Sequence, residues 1–298
     1  MKKYDISQCA FYKCGSKSKL EKLLLIDKST LNNVHEMLNY NFFSIEKDGK
    51  TRNITSPDKQ LKQIQKRILK LLAPVFRPVW LISGEKGKSY IDNGRFHINS
   101  KYALTIDIKS FYDSCQREYV YRFFRDKLKT KSDIAQILTD ITTYKFTVPT
   151  GSPTSQMIAY YAYEIMFFDI NEVAKKFGCI FSLYVDDMTF SSEKPFDVKR
   201  LKNEVDITLR RYGHKPKYSK IKYFGSKQNK LITGSVVSAE NILCVPNSLR
   251  EKIVIDFKES LKSGETSSSF KGRLQAAKNI QHEIFPEIAR ITSGMDCK

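Results

Sequence analysis

Acidic residues are in short supply. There are 32 Asp and Glu against 51 Lys and Arg, a formal net charge of +19 spread along 298 residues, and an excess of that size favours a polyanionic partner. Histidine is scarcer still, four in all, and the six cysteines at 9, 14, 115, 179, 244 and 297 include no Cys-x-x-Cys. This argues against a zinc site, a dithiol redox site or a disulfide framework, and leaves reduced, mostly buried thiols. No apolar run reaches 18 residues, and no signal-peptide pattern opens the chain. An anionic membrane would suit the charge but not that profile, so the expectation is a soluble, cytoplasmic protein with no membrane partner. Internal repeats and low-complexity blocks are missing as well. What is present is globular: 41% hydrophobic, 28% charged and 12% aromatic residues, enough to bury one large core or two smaller ones.

Periodicity supplies the organisation. Residues 18–40 read as helices interrupted at the cap-like run Asp27–Thr30, followed by a strand from Phe42 that turns at Asp48-Gly49 and returns through Arg52. Ser56-Pro57 is a helix opening, with Leu61, Ile64, Ile68, Leu71 and Leu72 on one face and Lys59, Lys62, Lys66, Arg67 and Lys70 on the other. Such a basic face is either solvated or a phosphate contact. The stretch Gly84–Ser89 resembles the end of a phosphate-binding loop, but position 82, where that pattern requires glycine, is Ile. Asp92-Asn93-Gly94 is a turn signal. Residues 101–109 alternate as a half-buried strand that sends Asp107 away from the core, and a helix is expected from Asp113 or Ser114, carrying Tyr119, Val120, Phe123 and Phe124 inward. Ser152-Pro153 opens a long helix that closes at Gly178, apolar nearly all round from Met157 to Phe168, so it is expected beneath a sheet. Two apolar strands then flank Asp186-Asp187, a hairpin with carboxylates at its tip, and a second hairpin is expected across Tyr223–Val237, turning around Gly225–Asn229. From Pro246 the pattern is helical, with a polar loop at Ser263–Ser269.

In a chain short of negative charge, Asp107 at a strand end and the Asp186-Asp187 pair form the informative constellation. Clustered carboxylates repel one another unless a divalent cation joins them, and Mg²⁺ characteristically uses one or two carboxylates, waters and substrate phosphates. Two such ions roughly 3.5–4 Å apart serve in-line phosphoryl transfer.

Tyr-Val-Asp186-Asp187 between strands, Thr-Ile-Asp107-Ile-Lys-Ser-Phe-Tyr upstream, and Val-Pro-Thr-Gly151-Ser-Pro-Thr-Ser-Gln between them resemble the motifs of reverse transcriptases, in that family's order. Arg52-x-Ile54-x-x-Pro57 and Leu61-Lys62-x-Ile64-Gln65 are similar to the fingers segment of the bacterial members. Asn93-Gly-Arg-Phe-His97 resembles the Asn-Ala-x-x-His element of the retron subgroup, with Gly94 in place of Ala, and Ile232-Thr233-Gly234 resembles its Val-Thr-Gly element. The resemblance covers about residues 40–260.

It implies an α/β (α+β) right-hand polymerase fold, with fingers over 1–100, an antiparallel-sheet palm over 101–237 and a short helical thumb over 238–298, and no length left for a nuclease domain. It also implies that Asp107, Asp186, Asp187 and the Ile108 carbonyl hold two Mg²⁺ ions and that Tyr112 is the aromatic gate at the sugar 2′ position, with Phe111 its neighbour and rival. Thr150 stands where the family more often has glutamine, beside Gly151 at the nucleotide. Lys220 resembles the lysine near the leaving pyrophosphate, with Lys217 and Lys222 as alternatives, and Arg52 falls where triphosphate or template is held. Lys62, Lys66, Asn93 and His97 are the candidate RNA contacts. The implied function is a retron reverse transcriptase. It would copy a structured non-coding RNA (msr-msd type) from deoxynucleoside triphosphates into multicopy single-stranded DNA, primed from a guanosine 2′-hydroxyl, with an RNA–DNA product and a separately encoded effector in anti-phage defence. The alternatives are a diversity-generating or abortive-infection reverse transcriptase, or a non-catalytic RNA-binding scaffold.

Overall fold

The computed structural model describes residues 3–47 and 49–295. Helices α1 (Lys17–Leu24) and α2 (Lys28–Asn32) start at Ser16 and Asp27, whose side chains accept the N–H of Lys19 and Thr30. Strands β1 (Tyr40–Lys47) and β2 (Lys50–Pro57) pair as the expected hairpin, Phe43 opposite Ile54 and Ile45 opposite Arg52. Asp48 of its turn lies outside the described residues. Helix α3 (Lys59–Leu72) starts later than Ser56-Pro57 would place it. Both residues remain in β2, and Asp58 is the cap, accepting the Leu61 N–H at 2.8 Å. Helix α4 (Tyr90–Phe96) occupies the expected Asp92-Asn93-Gly94 turn, because Ser89 and Asp92 cap it: the Asp92 carboxylate accepts the Ser89 N–H at 2.7 Å and the Ser89 hydroxyl accepts the Ile91 N–H at 3.2 Å.

Strand β3 (Tyr102–Asp107) is followed by α5 (Phe111–Ser114) and by α6 (Arg117–Arg122), which runs into a π turn at Phe123–Lys127, then by α7 (Ser132–Thr142). The one helix expected after Asp113 is thus interrupted at Cys115, although Val120, Phe123 and Phe124 are buried as expected. The long helix expected from Ser152-Pro153 is two, α8 (Ser155–Ala162) and α9 (Glu164–Lys176). They part at Tyr163, whose hydroxyl accepts the Gln116 N–H at 2.9 Å and donates to the Ser114 carbonyl at 3.3 Å. Gly178, at φ +68°, lies just beyond the C-terminal end of α9. The chain continues through β4 (Ile180–Tyr184), β5 (Asp187–Ser192), α10 (Val198–Arg211), β6 (Lys222–Phe224), β7 (Lys230–Ile232), β8 (Ser235–Val237) and β9 (Leu243–Cys244). Helices α11 (Asn247–Ser263), α12 (Ser268–Ile280) and α13 (Pro286–Met295) close it.

Packing divides the chain into two units. The first takes the chain up to Val79, Ile108–Val173 and Lys202–Lys217. It is mainly helical: α3 buries Leu61, Ile64, Ile68 and Leu72 while Lys59, Lys62, Lys66 and Lys70 stay exposed, and Phe123 stacks on Tyr161 of α8 at 4.9 Å.

The second unit takes Trp80–Asp107, Ala174–Leu201 and the chain from Tyr218 on. Its four-stranded antiparallel sheet runs β4-β5-β3-β6, and a three-stranded sheet runs β7-β8-β9. The expected hairpin around Gly225–Asn229 does not form, because β6 pairs with β3 and the hairpin is β7–β8, turning at Thr233-Gly234. With β5 on one side and β6 on the other, β3 is a central strand, and Ala103, Leu104, Ile106 and Asp107 are all buried. Asp107 therefore does not leave the core. Ile91, Ile232, Val237, Val245, Ile253 and Phe270 gather α4, the second sheet and the C-terminal helices into one apolar cluster. Among the described residues no helix is long and apolar enough to cross a membrane.

Candidate active site

The β4–β5 hairpin turns on Val185 and Asp186, and that turn needs a positive φ at its first position. Val185 supplies it at +62°, a conformation that costs a β-branched residue roughly 1–3 kcal/mol and that clusters at functional sites. The Ser83 hydroxyl accepts the Val185 N–H at 2.9 Å and holds it there. Antiparallel register then sets Asp187 opposite Asp107 on β3.

These carboxyls are crowded. Burial pushes the Asp187 carboxyl up to about 7, and the charges of Asp186 and Asp107 and a hydrogen bond with Asp107 push the same way, against the pull of Lys220. Lys220, in the turn Tyr218–Lys220, donates from Nζ to Asp107 Oδ2. Partial burial works against the Lys220 charge, but its bond to Asp107 and the charges of Asp107, Asp187 and Asp186 raise its pKa above the usual lysine value. Of the rival lysines, Lys222 lines the same cavity of about 360 Å³ as Asp107, Asp187, Lys220, Thr233 and Gly234. Lys217 belongs to the other unit.

Among the described residues no three His, Cys, Asp or Glu side chains cage a metal by themselves. The carboxylate oxygens of Asp107 and Asp187 suit a hard cation that needs only one or two carboxylates and takes the rest of its shell from water and phosphate, which is the habit of Mg²⁺. Burial first, and then the charges of Asp186 and Asp107, work against the Asp187 carboxylate, and a bound cation would offset both.

Two of the expected RNA contacts are corrected by burial. Asn93 and His97 have no accessible surface, and a side chain without surface does not touch a macromolecule. Instead His97 Nδ1 is 2.6 Å from Ser191 Oγ on β5 and Nε2 is 2.7 Å from Ser182 Oγ on β4, while Asn93 Nδ2 donates to Thr233 Oγ1 at 2.7 Å. Burial drives the His97 pKa down to about 3, so the ring is neutral. Ser182 and Ser191 carry no signal in sequence, since polar residues alternating along a strand look solvent-facing, and Ser83 lies in a turn where serine is ordinary. Thr233, by contrast, belongs to a recognisable element.

The remaining candidates lie in the first unit. Arg52, Lys62 and Lys66 are exposed. Tyr112 is half-buried, whereas Phe111 is buried against His214 and Phe167, with centroids at 5.4 and 6.0 Å, and fills the core. Thr150 Oγ1 accepts the Thr55 N–H at 3.2 Å, and Gly151 N–H donates to the Thr55 carbonyl at 2.9 Å. A Cβ on Gly151 would stand 2.8 Å from that oxygen, so glycine is required here by the approach of β2. Ile108, which follows Asp107 in the chain, is buried.

The profile of the family described as reverse transcriptase (RNA-dependent DNA polymerase) matches residues 45–236. The chain is 30% identical over 160 residues to the Retron Se72 reverse transcriptase of Salmonella heidelberg (strain 579083-10), covering 53% of this chain and 42% of that protein. It is 27% identical over 207 residues to the Retron Ec86 reverse transcriptase of Escherichia coli, covering 68% of this chain and 64% of that protein. The Retron Ec83 reverse transcriptase of Escherichia coli is 24% identical over 246 residues, 77% of this chain and 79% of that protein. The chain thus spans less than two thirds of the length of the first two.

Proposed function

Since the chain belongs to the reverse transcriptase (RNA-dependent DNA polymerase) family, we propose that its acidic pocket adds deoxynucleotides to a primer on an RNA template. The template is a structured non-coding RNA of the retron type, copied into multicopy single-stranded DNA from a guanosine 2′-hydroxyl. One observation carries the polymerase reading: Asp107 and Asp187, 80 positions apart in the chain, share a cross-strand register with Lys220 bonded to Asp107. Similarity to three retron enzymes supports the retron part.

In this reading residues 1–100 are fingers, 101–237 palm and 238–298 thumb. Asp107, Asp186, Asp187 and the Ile108 carbonyl would hold two Mg²⁺ ions, which when bound supply positive charge at the attacking and leaving oxygens. Lys220, charged and half-exposed at the pocket, offers a proton or a positive charge to the departing pyrophosphate. Tyr112 fills the space a 2′-hydroxyl needs and so selects deoxynucleotides. Arg52 forks onto phosphate oxygens, and Lys62 and Lys66 hold RNA backbone from α3. Thr150 and Gly151 border the incoming nucleotide. A separately encoded effector acts with the enzyme in anti-phage defence in the cytoplasm.

Primer extension on an RNA template with Mg²⁺, native chain beside Asp186→Ala, tests the reading. DNA from the native chain and none from the variant is expected. No product from either leaves only an RNA-binding scaffold. Sequencing of copurifying nucleic acid tests the retron part: a branched RNA–DNA species of one sequence is expected, and an unbranched or random population contradicts it.

A further inference from the structure

Helix α4 reaches two walls of the acidic pocket. Just past its C-terminal end, His97 is bonded to Ser182 and Ser191 on the hairpin that carries Asp186 and Asp187. From within the helix, Asn93 holds Thr233 in the β7–β8 turn, and α4 packs against both β8 and β4. Gly94 sets the closeness of that packing. A Cβ there would lie 2.2 Å from Ser235 Oγ and 2.9 Å from Leu243 Cδ1. The retron element has alanine at this place, and here the Ser235 hydroxyl fills the room a methyl needs, so Gly94 and Ser235 are a matched pair. Leu231, Thr233 and Gly234 form one wall of the cavity, and Asp107, Asp187 and Lys220 form the other.

We propose that α4 is a strut that sets the gap between these walls, with Asn93, Gly94 and His97 as positioning residues. Anchored by the buried His97 hydrogen bonds at its hairpin end and by the Asn93–Thr233 hydrogen bond and the close Gly94 contact at its β7–β8 end, it leaves the β7–β8 turn little freedom to move relative to the carboxylates. The proposal rests on the polymerase reading only for the identity of what enters the gap, a primed template.

The two ends predict different kinetic signatures. Gly94→Ala pushes the β7–β8 wall and raises the Kd for a primed RNA template about tenfold, read by fluorescence anisotropy without turnover, while the Mg²⁺ concentration for half-maximal synthesis stays unchanged. Ser235→Ala, close to native by itself, restores the Kd of Gly94→Ala to within about twofold. His97→Ala loosens the carboxylate hairpin, lowering kcat about tenfold or more and raising the Mg²⁺ requirement, with the template Kd unchanged. Thermal melts correct each value for the folded fraction. The strut is overturned if Gly94→Ala binds template like the native chain, if Ser235→Ala fails to restore it, or if both ends lose activity only in proportion to unfolding. Should Gly94→Ala not fold, Asn93→Ala removes the bond to Thr233 without adding bulk at the β7–β8 contact, carries the same expectation, and overturns the strut if its Kd, corrected for the folded fraction, is native. A native chain that binds template but makes no DNA removes the polymerase reading, while the binding arm still decides the strut.

Discussion

The β4–β5 hairpin buries Phe181, Leu183, Met188 and Phe190, whereas on β1–β2 Phe42, Phe43 and Ile45 are 62%, 49% and 41% exposed. The buried hairpin is pinned by a neutral histidine and three serine hydroxyls, Ser83 at its turn and Ser182 and Ser191 along its strands. The exposed one is tied through Thr55 to Thr150 and Gly151, and Phe42 meets the Tyr144 ring at 5.5 Å. The difference separates two tasks. Carboxylates that must keep a fixed mutual geometry sit on a strand pair whose apolar side chains, Ile180 at its start apart, are buried, while β1–β2 leaves aromatic rings in water, where the bases of the proposed template would stack.

Core truncation draws that contrast most strongly. Phe190→Ala is expected to cost about 3–5 kcal/mol in urea unfolding. Phe43→Ala changes stability by no more than about 0.5 kcal/mol, and its effect falls on template affinity instead. Equal losses at the two sites would erase the distinction.

Gly151→Ala tests the tie between the exposed hairpin and its neighbour. A methyl 2.8 Å from the Thr55 carbonyl and 2.9 Å from Ile54 Cγ2 is expected to cost about 1–3 kcal/mol. A neutral result in the same unfolding measurement would mean that β2 is free to move aside.

How far these features were legible in sequence depends on where their partners lie. The acidic hairpin and β1–β2 were readable because each is local, two apolar runs about a short turn. Helix α4 is masked in the sequence because Asp-Asn-Gly signals a turn, and only the capping by Ser89 and Asp92 and the burial of Asn93 override it. The role of His97 was hidden, since Ser182 and Ser191 are 85 and 94 positions away. Strands of three residues, such as β6 and β7, carry no mark of which neighbour they will pair with.

A smaller effect is expected with pH. Burial holds His97 at about 3 and His214 at about 4 in the folded chain, against roughly 6.5 when unfolded. The unfolded chain thus takes up protons that the folded one refuses. This contribution to stability is complete above about pH 6.5 and is lost progressively as pH falls toward 4 and then 3. Urea midpoints at pH 7.5 and 5 should show the decline, and His97→Gln should flatten it. A midpoint rising on acidification would contradict the burial of both rings.

The least change is expected on the basic face of α3. Each of Lys62→Ala and Lys66→Ala should lower the slope of log affinity against log salt by about 0.7–0.9 without altering the synthesis rate at saturating template. An unchanged slope would mark the face as merely solvated.

Single-turnover incorporation of one deoxynucleotide on a primed RNA template, titrated with Mg²⁺, bears most directly on the acidic pocket. The account predicts that Asp187→Asn, which keeps the shape of the side chain and removes its charge, lowers the rate by more than about a hundredfold, beyond the usual effect of losing an outer-shell partner. Incorporation at the native rate and the native Mg²⁺ requirement would contradict it.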